Sequence, residues 1–155
     1  MIIKRPTKFF MASGNGEGDT PLTAFDAALL DAGIANTNLL RLTSILPPHC
    51  VEVPKEDLPP GAIVPVVYSF KSSSTPGEVV SCAVGIGVPA DSSSAGLIME
   101  YSHVGEKGVA EEMIRKMVEE GFSKRGWKLK EIKIASAQHK AIKTGAACAA
   151  VILWD

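Results

Sequence analysis

The chain has 155 residues, a length typical of one domain with its own hydrophobic core. Apolar residues make up 46% of it and charged residues 21%, which excludes a globally disordered chain. Sixteen basic residues against 17 acidic ones give a net charge of −1, so the charge favours neither a nucleic acid nor an anionic membrane as a partner.

We expect no targeting segment and no membrane span. Residues 1–6 lack the apolar core of a signal peptide, and the longest apolar run, Ala146 to Trp154, is about half as long as a bilayer-spanning helix. The cysteines Cys50, Cys82 and Cys148 form no CxxC pair, which argues against a disulfide framework or a structural zinc site. A reducing, cytoplasmic location without a metal site is the simplest expectation.

The first helix has the clearest start and end signals in the sequence. Residues 8–13 are predicted to form a strand, and residues 14–19 a glycine-rich loop. Thr20 and Pro21 then begin a helix as its N-cap and first residue, and Gly33 ends it. Apolar residues at helical spacing predict its buried stripe: Leu22, Phe25, Leu29 and Ala32.

Proline residues mark the next strands. Residues 38–46 are predicted to form one strand, which Pro47 ends because proline cannot donate a ladder hydrogen bond. Residues 62–70 are predicted to form another, with Pro65 at a sheet edge or a bulge.

The strand predicted over residues 79–88 has two unlike faces. Valine, cysteine and isoleucine alternate on one face, and the other face carries only small residues: Ser81, Ala83, Gly85 and Gly87. A bare face allows another sheet, chain or ligand to approach the backbone closely. A twisted strand packed against bulky neighbours explains the pattern equally well.

The last third of the chain completes a layered domain. Strands are predicted over residues 96–102, 127–136 and 145–154, the last being central because it is almost entirely apolar. A helix is predicted over residues 108–125, with these residues on its apolar side: Val109, Met113, Met117 and Val118. Six or seven strands and two helices that do not alternate regularly predict a single α+β domain over residues 1–155.

A glycine-rich loop before a helix is one candidate for function. The helix N-terminus suits a phosphate group, but the loop has neither the GxGxxG nor the GK[ST] pattern. Glu17 and Asp19 would also repel an anion. The preferred interpretation is therefore a flexible turn at the edge of a pocket.

Polar residues within apolar segments are the other candidates. Asp26 is either a solvated helix-flank residue or a carboxylate held for a cation such as a guanidinium. Glu100 is either an edge-strand carboxylate facing water or a general acid, because burial of its ionised form is costly. Asn38 and Arg41 are interpreted as polar residues at a strand end or edge, and Ser44, which lacks a GxSxG context, as the start of a turn.

Six segments in order resemble the pyruvoyl-dependent arginine decarboxylases, and together they extend over nearly the whole chain. They are GEGDTPLTAFD (16–26), AGIANTNL (32–39), RLTSILPP (41–48), PGAIVP (60–65), GLIMEY (96–101) and RGW (125–127).

The resemblance implies that the chain is a proenzyme that cleaves its own Thr43–Ser44 bond. The Ser44 hydroxyl would attack the Thr43 carbonyl to give an ester, and elimination and hydrolysis would then turn Ser44 into a pyruvoyl group. The products would be a β chain of residues 1–43 and an α chain of residues 44–155. L-arginine would be decarboxylated to agmatine and CO2.

The resemblance also assigns roles to the polar candidates. The pyruvoyl group at position 44 would bind the substrate amine and accept the electrons left by CO2 loss. Glu100 would protonate the resulting carbanion, Asn38 would lie beside the cleavage site, and Asp26 would pair with the substrate guanidinium. The implied fold is a four-layer αββα sandwich. The implied assembly is a homotrimer, in some cases paired into a hexamer, with active sites between neighbouring subunits.

Two alternatives to arginine decarboxylation remain. One is a pyruvoyl-dependent decarboxylase of another amino acid such as histidine, and Asp26 argues against it because a guanidinium needs a carboxylate partner. The other is a trimeric homologue that does not cleave itself and only binds a small cation. Thr43, Thr23 and Ala35 replace the Ser, Asn and Gly that are common in the family.

Overall fold

A computed structural model describes residues 4–155, and the first three residues, part of the segment in which we expect no signal peptide, lie outside it. In chain order its elements are β1 (Lys8–Glu17), α1 (Pro21–Ala32), β2 (Asn38–Arg41), β3 (Ile45–Leu46), β4 (Val51–Glu52), β5 (Ile63–Ser73), β6 (Val79–Pro89), β7 (Gly96–Val104), α2 (Lys107–Arg125), β8 (Leu129–Lys140) and β9 (Gly145–Trp154). Neither α1 nor α2 is long and apolar enough to cross a membrane.

The strands form two sheets. The five-stranded sheet has the order β2-β5-β9-β1-β4, and the four-stranded sheet has the order β3-β7-β6-β8. β9 is the middle strand of the larger sheet, as predicted from its apolar composition, and it pairs antiparallel with both β1 and β5. Pro65, in β5, is paired only with Leu40 of β2 and precedes Val66, where pairing with β9 begins. Its missing N–H therefore removes no bond to the central strand.

Three buried clusters hold the helices and sheets together. In the first, α1 packs on the five-stranded sheet, with Ala28 of α1, Phe10 of β1 and Ile152 of β9 in one cluster. In the second, the two sheets pack face to face, with Val84 of β6 and Val151 of β9 in one cluster. In the third, α2 packs on the four-stranded sheet. These layers confirm the α+β class.

The bare face of β6 lies under helix α2. A Cβ atom on Gly85 would overlap Ile114, and one on Gly87 would lie 2.6 Å from Val118 Cγ1. The opposite, bulky face of β6, with Cys82 among its residues, packs on the other sheet. Of the two alternatives, the strand packed against bulky neighbours is therefore confirmed, because Ile114, Val118 and Phe122 of α2 fill the space above the bare face.

The predicted glycine-rich loop is also wrong over most of its length. β1 continues through Glu17, and Gly14 pairs with Cys148 of β9. A Cβ atom on Gly14 would overlap the Ala28 carbonyl oxygen and lie 2.6 Å from the Ala32 nitrogen. Glycine is therefore present because α1 lies directly on the backbone of β1, not because this segment is flexible.

The ends of both helices are confirmed, but their buried stripes are shifted. Thr20 Oγ1 accepts a hydrogen bond from Thr23 N, and Gly33 and Gly126 end α1 and α2 in the left-handed conformation. Leu22 is 75% exposed and Val109 is 55% exposed, contrary to prediction. The buried face of α1 is mainly alanine, and that of α2 combines small and large apolar residues. The buried residues are Ala24, Ala28, Leu29 and Ala32 in α1 and Ala110, Ile114, Val118, Gly121 and Phe122 in α2.

Replacement of Gly14 by alanine should destabilise the fold by roughly 1–3 kcal/mol, because the new methyl group meets backbone atoms of α1. Gly108→Ala is the matched control. A Cβ atom at Gly108 meets nothing within 4 Å, and alanine favours the helical conformation. Chemical unfolding at one protein concentration measures both variants. Equal stability of Gly14→Ala and wild type would contradict the packing of α1 on β1.

Candidate active site

The chain passes from one sheet to the other at residues 42–44. Leu42 N–H still donates to the Val66 carbonyl of the five-stranded sheet, at 2.9 Å. Two residues later the Ser44 carbonyl accepts from Ile98 N–H of the four-stranded sheet, at 2.7 Å. The prediction of one continuous strand over residues 38–46 is therefore wrong. The Thr43–Ser44 bond, the predicted cleavage site, lies outside both strands, at the crossing.

Glu100 lies close to this crossing, on β7. It follows Ile98 by two residues and so projects from the same face of the strand. β3 covers β7 only at Gly96 and Leu97, so the edge of β7 is open beside Glu100. The side chain is 35% exposed, and its Oε2 atom is buried without a hydrogen-bond partner in the described residues. Glu100 is thus partly shielded and keeps one oxygen unengaged.

Arg41 forms an ion pair with the other oxygen of Glu100. Its Nη2 atom lies 2.6 Å from Glu100 Oε1 and 3.3 Å from the Tyr68 carbonyl oxygen. The guanidinium also stacks over the Tyr68 ring, 4.7 Å from its centroid. Because β2 and β7 belong to different sheets, this ion pair connects the two sheets beside the Thr43–Ser44 bond.

A cavity of about 310 Å³ opens at the same place. Its wall consists of Arg41, Ser69, Phe70, Glu100, Tyr101 and Ser102. Ser69 Oγ donates to the Tyr101 carbonyl at 2.8 Å and so fixes β5 against β7 below the ion pair. The cavity provides room for a small ligand next to Glu100.

Asn38 lies at the other end of β2. Its Nδ2 atom donates to the Gly61 carbonyl at 2.9 Å, and its backbone N–H donates to the Ala62 carbonyl at 2.8 Å. These bonds anchor the turn that precedes β5. Among the described residues, no hydrogen bond joins Asn38 to Ser44 or Glu100.

Asp26 lies on the exposed side of α1. It takes part in no hydrogen bond or ion pair within residues 4–155, so in this single chain it is a solvated helix-flank residue. The preceding Phe25 packs against Tyr68 and Phe70, with ring centroids 5.9 and 4.5 Å apart. Asp26 therefore lies next to aromatic side chains that lead to Arg41, but it does not itself contact Glu100.

The phosphate interpretation of residues 14–19 finds no support. Glu17 Oε1 accepts from the backbone N–H groups of Ile142 and Lys143 at 3.1 and 2.8 Å, and Oε2 lies 2.5 Å from His139 Nε2. Burial acts to raise the pKa of Glu17, but the hydrogen bonds from Lys143, His139 and Ile142 outweigh it and lower this pKa overall. Glu17 is thus bonded to residues 139–143, and at the start of α1 the Thr23 N–H already donates to the Thr20 hydroxyl.

Arg41 is the functional candidate that the sequence interpretation missed. Its predicted position at a strand end or edge is confirmed, because Arg41 is the last residue of β2 and β2 is an edge strand, but that prediction does not include the contact with Glu100. Its position three residues before Ser44 was the available signal. Its partner, 59 residues further along the chain, could not be inferred from spacing.

The fold is that of a small two-sheet α+β domain, with a serine at the crossing between the sheets and a carboxylate close to it. A sequence model of the pyruvoyl-dependent arginine decarboxylases matches residues 8–154. The chain belongs to this family, whose prosthetic pyruvoyl group derives from a serine.

Relatives with the same name support the assignment over the full length. The pyruvoyl-dependent arginine decarboxylase of Methanocaldococcus jannaschii is 46% identical, over 98% of this chain and 92% of that protein. Its counterpart in Pyrococcus furiosus is 48% identical, over 96% of both chains. The protein of that name from Methanococcus aeolicus is 44% identical, over 97% of this chain and 92% of its own.

Proposed function

We propose that this chain decarboxylates L-arginine to agmatine and CO2, after it has cleaved its own Thr43–Ser44 bond and converted Ser44 into a pyruvoyl group. Family membership supports the reaction. The observation that carries the assignment to these residues is their common location. The Ser44 carbonyl accepts a hydrogen bond from Ile98 N–H of β7, and Glu100 lies two residues after Ile98 on the same strand. Glu100 keeps one buried oxygen without a partner in the described residues.

The fold tolerates cleavage at this bond. Thr43 and Ser44 lie outside the regular strands, so the Ser44 hydroxyl can approach the Thr43 carbonyl without loss of a sheet ladder. The segment 1–43 contains β1, which pairs with β9 from Lys8↔Trp154 to Glu17↔Gly145. The two chains would therefore stay together after the bond is broken.

The residues around Ser44 fit a pyruvoyl group and its chemistry. The group supplies a carbonyl that accepts the electrons released when CO2 leaves the substrate. The hydrogen bond from Ile98 N–H to the Ser44 carbonyl fixes the backbone at this position. The Oε2 atom of Glu100, which has no partner in the described residues, can carry a proton.

Glu100 has two successive proton transfers to make. Paired with Arg41, it begins as a carboxylate, whereas the substrate enters with a protonated α-amine. This amine must lose a proton before its nitrogen can act as a nucleophile, and Oε2 can accept that proton. Glu100 then returns a proton to the carbon that has lost CO2, so the residue ends the cycle as a carboxylate.

Asp26 is the proposed partner of the substrate guanidinium. Its carboxylate is exposed and free of other contacts in the described residues, but it is separated from Glu100 within one chain. We infer that the site is completed between neighbouring subunits of a homotrimer, with trimers able to pair into hexamers. Exposed apolar residues on β2, β3 and β5 support such a contact: Leu40, Ile45 and Ile63 are 43%, 43% and 70% exposed.

The layers support a more detailed fold assignment. The order of packing is α1, the five-stranded sheet, the four-stranded sheet and α2. We propose that this is the four-layer αββα sandwich that the family resemblance implies. A cytoplasmic location, with neither nucleic acid nor membrane as a partner, completes the proposal.

Replacement of Ser44 by alanine should abolish cleavage, because alanine has no hydroxyl to attack the Thr43 carbonyl. The wild type should separate into chains 1–43 and 44–155 on a denaturing gel, and the larger should resist Edman sequencing. Thr43→Ser, which keeps the carbonyl and the nucleophile, should still be cleaved. An uncleaved but active wild type would contradict the proposal.

Replacement of Glu100 by glutamine should allow cleavage but lower kcat by roughly 100- to 10,000-fold, because glutamine cannot transfer a proton. Release of agmatine from L-arginine measures this in the cleaved protein. Glu112→Gln on the exposed side of α2 is the control and should match the wild type. A kcat near that of the wild type would exclude Glu100 from proton transfer.

Replacement of Asp26 by asparagine should lower kcat/KM for L-arginine by roughly 10- to 150-fold, since a charge-assisted hydrogen bond contributes about 1.5–3 kcal/mol. Cleavage should be unaffected, and the exposed Asp57→Asn variant should match the wild type. An unchanged kcat/KM would show that Asp26 does not bind the guanidinium. A preference for another amino acid, such as histidine, would then have to be tested.

A further inference from the structure

We propose that Arg41 is a positioning residue that orients Glu100, so that its proton reaches the substrate carbon that has lost CO2. This role rests on the proposed function. Three features support it: the contacts around the guanidinium, the different surroundings of the two Glu100 oxygens, and the location of the pair close to the Thr43–Ser44 bond.

Three contacts fix the Arg41 guanidinium. It bonds Glu100 Oε1 at 2.6 Å, donates to the Tyr68 carbonyl at 3.3 Å and stacks on the Tyr68 ring at 4.7 Å. Tyr68 lies in the middle of β5, and its ring packs on Phe25 of α1. A planar guanidinium held in this way offers Glu100 a donor of fixed direction.

The contact leaves the two oxygens of Glu100 in different states. Oε1 is engaged by Arg41, and Oε2 is buried without a partner in the described residues. Arg41 thereby prevents the carboxyl group from rotating to exchange its oxygens and leaves Oε2 as the one that can take and return a proton. This asymmetry is what directed proton transfer requires.

A contribution to folding does not explain the pair well. The side chains are 50% and 35% exposed, and ion pairs at such exposure contribute little to stability. The two sheets are already joined by a continuous apolar cluster, which includes Ile86 and Leu153. Arg41 therefore has more effect on the orientation of Glu100 than on the stability of the fold.

Misdirected protonation has a distinct chemical product. If the proton reached the carbon of residue 44 and not the substrate carbon, the substrate nitrogen would remain on residue 44. Water would then release the substrate carbon chain as an aldehyde, and residue 44 would become an N-terminal alanine. Oxidation of the substrate carbon would balance reduction of the residue 44 carbon, so no further oxidant would be needed. Such an event would inactivate the enzyme and unblock its N-terminus.

The experiment compares Arg41→Met, Arg41→Lys and Glu100→Gln, and the double variant Arg41→Met with Glu100→Gln. Arg125→Met is the matched control, because Arg125 also stacks on an aromatic ring, that of Trp127 at 5.3 Å, and donates to a backbone carbonyl, that of Gly121. The measurements are cleavage, kcat and KM for L-arginine, and Edman sequencing of the α chain after repeated turnover.

Arg41→Met should be cleaved, should lower kcat roughly 10- to 100-fold with little change in KM, and should show alanine in the first Edman cycle after turnover. Arg41→Lys should recover part of kcat and show less alanine. The double variant should be no slower than Glu100→Gln alone, because Arg41 acts through Glu100. Arg125→Met should match the wild type.

Several results would overturn the role of Arg41. Three of them concern Arg41→Met: a wild-type kcat without alanine at the N-terminus, a raised KM with unchanged kcat, or loss of cleavage. The fourth is a double variant that is slower than Glu100→Gln alone. If Arg41→Met does not fold, Arg41→Lys decides by the same criteria. A wild type that is neither cleaved nor active on arginine would contradict both the proposed function and the role of Arg41. If the wild type is cleaved and active, the results from the Arg41 variants test the role of Arg41 alone.

Discussion

The crossing of the chain between two sheets at residues 42–44 constrains everything at this site. β2 must end at Arg41 because it pairs with β5 of one sheet, and β3 must begin at Ile45 because it pairs with β7 of the other. The Thr43–Ser44 bond between them lies outside both strands, and it is the bond at which we propose cleavage. The same crossing places Arg41 next to Glu100. Arg41 bonds to one Glu100 oxygen, Oε1, and the other, Oε2, is left without a partner in the described residues.

Much of the fold could be predicted from local sequence signals. Thr20, Gly33 and Gly126 mark helix ends because their conformations are set by neighbouring residues, and the apolar residues of β9 place it at the centre of a sheet. The glycines of β1 were misread because glycine in a loop and glycine beneath a helix look the same in sequence. Only the packing of α1 on Gly14 distinguishes them.

The site was predicted less completely, for a physical reason. Family resemblance supplied the candidates Ser44, Glu100, Asn38 and Asp26. Ser44 lies at the crossing and Glu100 two residues after its partner Ile98, whereas Asn38 lies at the other end of β2. The Arg41–Glu100 pair joins residues far apart in sequence, so no spacing rule could reveal it. Asp26 is exposed and isolated in the single chain, and its proposed role depends on a neighbouring subunit that one sequence cannot orient. Positions set by local chemistry were predictable, whereas those set by tertiary and quaternary contacts were not.

Reductive trapping of the substrate tests the proposed reaction most directly. The wild-type protein is incubated with L-arginine and sodium cyanoborohydride, and the masses of the denatured chains are measured. The predicted result is an α chain of residues 44–155 that has gained a substrate-derived amine on residue 44, next to an unmodified chain of residues 1–43, with no adduct in Ser44→Ala. An intact chain of 155 residues without an adduct would contradict both the self-cleavage and the pyruvoyl chemistry at Ser44.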